Sequence, residues 1–302
     1  MDFLKNRYVA IVFSLLVIIG GITYGLLTGY KFDIDFKGGV VIETDIKEEF
    51  DNNEMQNLIK NITGESPLIQ KTTGGENRVT ITLEPISSEQ ETAVIEALKD
   101  KYKNMEEPST RNIQPAYGRD LINSALLAIG VSVVLILIYI CIRFKTLGVA
   151  AAISAIIALL HDTLFLIAVY GIFKFPINSV FVAVALTIIG YSINDTIVIY
   201  DRIRENKRKL NLAKDLKKTI NTSLSECMTR TIYTSLTTVA VVIVMYILAA
   251  LNGQQVLMQF SLPLVIGVLV GTYSSIFIAT SLWYMFSNIK IRKENKEENI
   301  KK

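Results

Sequence analysis

Ile188-Ile-Gly-Tyr-Ser-Ile-Asn-Asp-Thr-Ile-Val-Ile-Tyr200 is apolar enough to lie in a bilayer, yet it carries Asn194 and Asp195 at its centre. An ionisable side chain at membrane depth costs at least about 2.5–3.5 kcal/mol, so it does not face lipid. Thr187, Tyr191, Asn194 and Asp195 recur at three- and four-residue spacing and make one polar stripe on a helix, expected to face other helices. The stretch ends an apolar segment, Ile177–Tyr200, and five more such segments lie at Tyr8–Leu27, Leu121–Ile142, Leu147–Ile172, Ile232–Leu251 and Met258–Phe286. Each has roughly the 20 residues needed to cross a hydrocarbon core of about 30 Å. With 51% hydrophobic residues gathered in this way, the chain reads as a polytopic α-helical membrane protein with six transmembrane helices. The first apolar run is longer than the roughly 7–15 residues of a secretory signal and no small-x-small cleavage site follows it, so it reads as a retained span.

Charge sets the expected orientation. Lys5 and Arg7 precede the first span, Arg143 and Lys145 lie between the second and third, a basic group from Arg202 to Lys218 with Arg230 separates the fourth from the fifth, and Lys290 to Lys302 close the chain. On the other side, the short loops carry only Lys174. Basic residues near span ends hold loops in the cytoplasm, which predicts cytoplasmic N- and C-termini and an extracytoplasmic block between the first two spans. In that block Val40–Ile46 alternates like a half-buried strand, and Asp51 caps a helix bearing Met55, Leu58, Ile59 and Ile62. Pro67–Thr72 and Arg78–Leu83 form a hairpin about Thr73-Gly-Gly-Glu-Asn77, Ser87/Ser88 cap a second helix, and Thr110–Tyr117 is a last strand. The order βαββαβ is that of the ferredoxin-like split motif; a generic α+β module is the alternative. The expected organisation is residues 1–29 for the N-terminus and first span, 30–118 for the outer domain, 119–287 for the other spans with a basic cytoplasmic loop at 201–231, and 288–302 for a basic cytoplasmic tail.

Further charges lie within the apolar segments. Arg230 opens the fifth and, with Thr234, Thr237 and Thr238, makes a second polar stripe. The fourth and fifth spans run antiparallel, so Asp195 and Arg230 fall at similar depth and an ion pair between them is feasible; the alternative is an arginine snorkelling from a helix end. His161 and Asp162 lie well inside the third span, as a proton relay or as an interhelical hydrogen bond. Asp201 and Arg202 sit at a span edge and read as boundary anchors. Gly267-x-x-x-Gly271 matches a small-residue packing pattern. One histidine and two cysteines, Cys141 and Cys227, make a metal site or a disulfide framework improbable, and no cofactor is expected.

These residues resemble the signatures of the SecD/SecF family of bacterial protein-export membrane proteins, on its SecF branch. Asp33-Ile-Asp-Phe-Lys-Gly-Gly39 is similar to the family's Asp-Phe-x-Gly-Gly signature, here Asp35, Phe36, Gly38 and Gly39. Gly190-Tyr-Ser-Ile-Asn-Asp-Thr-Ile-Val-Ile-Tyr-Asp-Arg-Ile-Arg-Glu-Asn206, with Gly190, Asp201 and Arg202, resembles the SecF fourth-span signature, and Thr229–Thr238 the fifth. The resemblance implies half of a proton-driven RND-superfamily fold, with Asp195 and Arg230, and Asp162 near them, as the coupling residues. It implies SecD as partner beside the SecYEG channel, a link to SecA, emerging preproteins as clients, and no nucleic acid. The alternatives are a proton-driven small-molecule exporter of the same superfamily and a passive scaffold for SecD. An enzyme is not expected: no His-Glu-x-x-His motif occurs, and no Gly-x-Gly-Asp follows Tyr200-Asp201.

Overall fold

A computed structural model describes residues 2–71, 77–209 and 215–289. The chain runs through helix α1 (Arg7–Thr28), a single helical turn α2 (Ile34–Lys37), strand β1 (Gly39–Asp45), α3 (Asn52–Thr63), β2 (Leu68–Lys71), β3 (Arg78–Leu83), α4 (Ser88–Lys101) and β4 (Ser109–Ile113). Five long helices follow: α5 (Pro115–Arg143), α6 (Val149–Phe173), α7 (Ser179–Lys209), α8 (Leu216–Leu251) and α9 (Gln255–Ser274). The last continues through a π-helical turn at Ser275–Ala279 into a final helical segment, 280–289. Helices α1 and α5 to α9 are the six long and apolar enough to cross a membrane.

The small domain between α1 and α5 is a four-stranded antiparallel sheet in the order β2-β3-β1-β4. Alternation in β1 and β3 sends Val40, Ile42, Val79, Ile81 and Leu83 to one face, where Met55 and Ile59 of α3 and Val94 and Leu98 of α4 cover them. Local chemistry fixes both helix starts. Asp51 accepts from the backbone N–H groups of Asn53 and Glu54, and Ser87 with Gln90 forms a reciprocal capping box. The last strand is shorter than expected. It stops at Ile113, because Pro115 occupies the first turn of α5, a position that needs no N–H. Of the expected hairpin turn, residues 73–76 lie outside the described residues, as do 210–214 of the basic segment and 290–302 of the tail.

Small residues let the membrane helices approach closely. A Cβ on Gly21 of α1 would run into Ala168 of α6, and Gly171 of α6 faces the Gly21 carbonyl. On α9, Gly267 and Gly271 lie against Ile188 and Ser192 of α7, so the Gly-x-x-x-Gly pattern marks the α7–α9 seam. The expected loop at 201–231 is helical at 201–209 and 216–231, with Asp215 as the cap of α8. α7 continues to Lys209 and α8 starts at Leu216, held by ion pairs of Arg202 with Glu205 and Glu226 and by Asn206 bonded to Ser223 and Glu226. Such i,i+3 and i,i+4 pairs let a polar helix persist beyond the apolar core.

Candidate functional site

Two carboxylates are buried among α6, α7, α8 and α9: Asp162 is 1% exposed and Asp195 is 3% exposed. Asp162 sits eleven residues from the end of α6, about 17 Å along the helix and therefore near the bilayer centre. Its Oδ1 pairs with His161 Nδ1 at 3.0 Å, and its Oδ2 accepts from Ser192 Oγ of α7 at 2.5 Å and from Ser274 Oγ of α9 at 2.8 Å. Ser275 Oγ, in the first π-turn position, donates to the Ser192 carbonyl at 3.1 Å and is hydrogen-bonded to Thr196 Oγ1 at 2.9 Å. Thr280 closes the π turn by donating to the Ser275 carbonyl at 2.8 Å. A π turn accommodates one extra residue and re-aims the side chains beside it; here Ser274 and Ser275 both reach the seam with α7.

Asp195 lies about one turn closer to the charged end of α7. Its Oδ2 accepts from Thr272 Oγ1 of α9 at 3.3 Å, long for a hydroxyl bond to a carboxylate. Thr272 also bonds Ser235 of α8 at 2.6 Å, and the Tyr191 hydroxyl of α7 donates to Ser235 at 3.3 Å. One chain of hydroxyls thus joins α7, α8 and α9 around a carboxylate with a single weak donor.

The polar stripes fall differently from the expectation. Thr187 and Asn194 are exposed on the outer side of α7, and Thr187 bonds back to Ala183 of its own helix. The residues of α7 that face inward are Ser192, Asp195 and Thr196, with Tyr191 half-buried. On α8, Thr231 and Ser235 face inward. Thr237 is exposed, Thr234 and Thr238 are half-buried, and all three bond carbonyls of their own helix. Arg230 is exposed and makes no salt bridge among the described residues, so the direct Asp195–Arg230 ion pair is not formed; its charge reaches Asp195 only through space. The reason is helical phase: Arg230 is one residue, about 100° of rotation, from the inward Thr231. Gly190 is exposed on the same side as Asn194.

The boundary residues are paired at the charged end. Asp201 bonds Arg143 at 2.9 Å and Arg204 at 2.6 Å, and Arg202 bonds Glu205 at 2.5 Å and Glu226 at 2.7 Å. Asp35, Phe36, Gly38 and Gly39 lie at the opposite end of α7, where Asp35 bonds Ser179. Sequence reasoning missed the whole contribution of α9. Thr272, Ser274 and Ser275 sit in an apolar run, and small hydroxyl residues there are ordinary in membrane helices. The only signal was their nearness to Gly271. Among the described residues no His, Cys, Asp and Glu side chains group to hold a metal ion.

A family model described as protein export membrane protein SecD/SecF, C-terminal, matches residues 93–289. Over its full length the chain is 33% identical to the protein translocase subunit SecF of Sebaldella termitidis, of which it covers 96%. It is 32% identical to SecF of Haemophilus influenzae, covering 87% of that protein. The protein translocase subunit SecDF of Bacillus subtilis is 33% identical over 97% of this chain, but the chain spans only 39% of that longer protein. A crystal structure of SecDF, a translocon-associated membrane protein from Thermus, superposes on 95% of the chain with a TM-score of 0.78 at 26% identity, again over 39% of the longer chain.

Proposed function

The chain belongs to the SecD/SecF family of protein-export membrane proteins, as a SecF, and from that premise we propose that it converts the proton motive force into work on proteins leaving the cytoplasm. As a SecF it is a multi-pass cytoplasmic-membrane subunit that serves the Sec translocase. The SecDF relatives join a region like this chain to a longer partner region, which supports SecD as its direct associate. The finer assignments are SecYEG alongside, SecA acting before it, and emerging preproteins as clients. The termini lie in the cytoplasm, residues 30–118 form an extracytoplasmic ferredoxin-like domain, and residues 119–287 carry the remaining spans. The positive-inside pattern supports the orientation, and the sheet order with both helices on one face supports the domain type.

The observation that carries the coupling reading is the contrast in satisfaction between two carboxylates at adjacent depths. Asp162, held by the Ser192 and Ser274 hydroxyls and paired with the His161 ring, fixes α6, α7 and α9 against one another. Asp195, with one long bond to Thr272, is the group that takes up and gives back the proton. Ionised, it draws Thr272 toward α7. Protonated, it presents a hydroxyl of its own, and Thr272 is free to strengthen its bonds with Ser235 and the Val268 carbonyl. Each protonation therefore shifts the balance between an α7–α9 contact and an α8–α9 contact. A proton crossing 100 mV supplies about 2.3 kcal/mol, enough to bias two packings that differ by one or two hydrogen bonds.

Arg230 is exposed on α8, and Thr187, Gly190 and Asn194 are exposed on α7. A cation and an amide at this depth are costly against lipid, so these exposed positions meet SecD, and Arg230 acts on Asp195 through space. In inverted membrane vesicles containing SecD and SecYEG, Asp195→Asn abolishes the increment in preprotein export that the proton motive force adds, while SecA-driven export continues. An undiminished increment reduces the chain to a passive scaffold for SecD.

A further inference from the structure

Helix α7 has no covalent connection to the outer domain, which joins the bundle through α1 and α5. Its outer end is nevertheless lashed to the segment that leads into the sheet. The Lys31 carbonyl accepts from Ile177 N at 2.8 Å, and Asp33 N donates to the Ile177 carbonyl at 3.0 Å. Asn178 caps α7, its Oδ1 accepting from Val180 N at 3.1 Å and Phe181 N at 3.3 Å. Its Nδ2 donates to Asp33 Oδ2 at 3.2 Å and to Gln259 Oε1 of α9 at 2.7 Å. Asp35 adds a second cap from outside the helix: its Oδ2 accepts from Ser179 N at 3.0 Å and Ser179 Oγ at 2.5 Å. A carboxylate there also meets the positive end of the helix dipole.

The same short segment is wedged from behind. A Cβ on Gly118 of α5 would collide with the Phe36 carbonyl, and one on Gly39 would collide with the Leu83 carbonyl of β3. Gly38, at φ +83°, makes the reversal that turns α2 into β1, a conformation that favours glycine. The sheet, α2, α5 and the head of α7 therefore form one block, in which only side-chain and backbone hydrogen bonds include α7.

We propose that Asp33, Asp35 and Asn178 are positioning residues that make the outer domain follow α7. A displacement of α7 against α9 near Asp195, about 24 Å down the helix from Ser179, then reaches the sheet as rigid-body movement. The functional consequence rests on Asp195 being the switching group; the mechanical link stands on the geometry alone.

Spin labels on exposed Lys60 of α3 and exposed Asn252 at the end of α8, in a Cys141→Ala, Cys227→Ala background, report the distance between domain and bundle in the SecD-bound complex in nanodiscs. The unmodified joint gives one narrow distribution, and Asp35→Ala broadens it and shifts it to longer distance. Ser179→Ala removes one of the two bonds and gives the same test with a smaller broadening should Asp35→Ala not accumulate. An unchanged distribution in both overturns the link. The second readout is vesicle export at matched abundance, where Asp35→Ala loses most of the increment driven by the proton motive force. If Asp195→Asn abolishes that increment and Asp35→Ala does not, the link falls and the coupling reading stands. If Asp35→Ala broadens the distribution while Asp195→Asn exports normally, the link stands and the coupling reading falls.

Discussion

Asp162 and Asp195 are both carboxylates buried in the same helical bundle, yet their surroundings differ in kind. Two serine hydroxyls and the His161 ring close on Asp162, the farthest at 3.0 Å, and it lies near the bilayer centre. Asp195 has one hydroxyl at 3.3 Å, follows the exposed Asn194 in the chain and feels the exposed Arg230 only through space. Burial alone does not identify a working residue. A buried carboxylate with several close partners holds a structure together, whereas one left short of partners has a second arrangement within reach.

The largest expected effect follows from that difference. Asp162→Ala strands the Ser192 hydroxyl and the His161 ring, at about 1–3 kcal/mol for each buried group left without its partner, and leaves Ser274 with only the Gly271 carbonyl of its own helix. Thermal unfolding of the purified complex in detergent should show a large loss for Asp162→Ala and a small one for Asp195→Ala, because Thr272 keeps its bonds to Ser235 and Val268. Equal losses would erase the distinction. A smaller effect sharpens the comparison at the shared α7–α9 seam. Gly267→Val drives a side chain into Ile188 and costs about 1–3 kcal/mol by overpacking, and it should separate the helices that both carboxylates bridge. Its export defect should therefore accompany a fall in thermal stability. Smallest is Ser87→Ala in the outer domain, which removes a capping box and costs about 1 kcal/mol. Hydrogen exchange should rise in α4 alone, with export unaffected, which separates mild loss of stability from loss of coupling.

Much of the fold is legible in the sequence because its cues are local. A span is a matter of length and apolarity, so all six helices fall where the hydropathy puts them. Asp51 and Ser87 announce helix starts by residue type, and β1 and β3 alternate as strands covered on one face must. The site is legible only in part, because which side of a membrane helix faces inward depends on its neighbours. Thr187 and Asn194 share a face with one another, while Ser192, Asp195 and Thr196 point the other way. On α8 a rotation of one residue exchanges Arg230 for Thr231. The π turn after Ser274 shifts the phase of α9 without altering its composition, and three hydroxyl residues of an apolar run meet α7 unannounced, Thr272 and Ser274 at the carboxylates and Ser275 at the Ser192 carbonyl. The turn at Ile34–Lys37 is short enough to look like linker, although Asp33 caps it and Gly38 ends it.

The central claim is that Asp195 changes protonation state inside the bundle and Asp162 does not. Infrared difference spectroscopy of the SecD-bound complex on acidification reads this directly, through the carbonyl stretch of a newly protonated carboxylic acid in a water-poor site. The account predicts a band that disappears in Asp195→Asn and persists in Asp162→Asn. A band that survives Asp195→Asn, or that vanishes only when Asp162 is replaced, would contradict it.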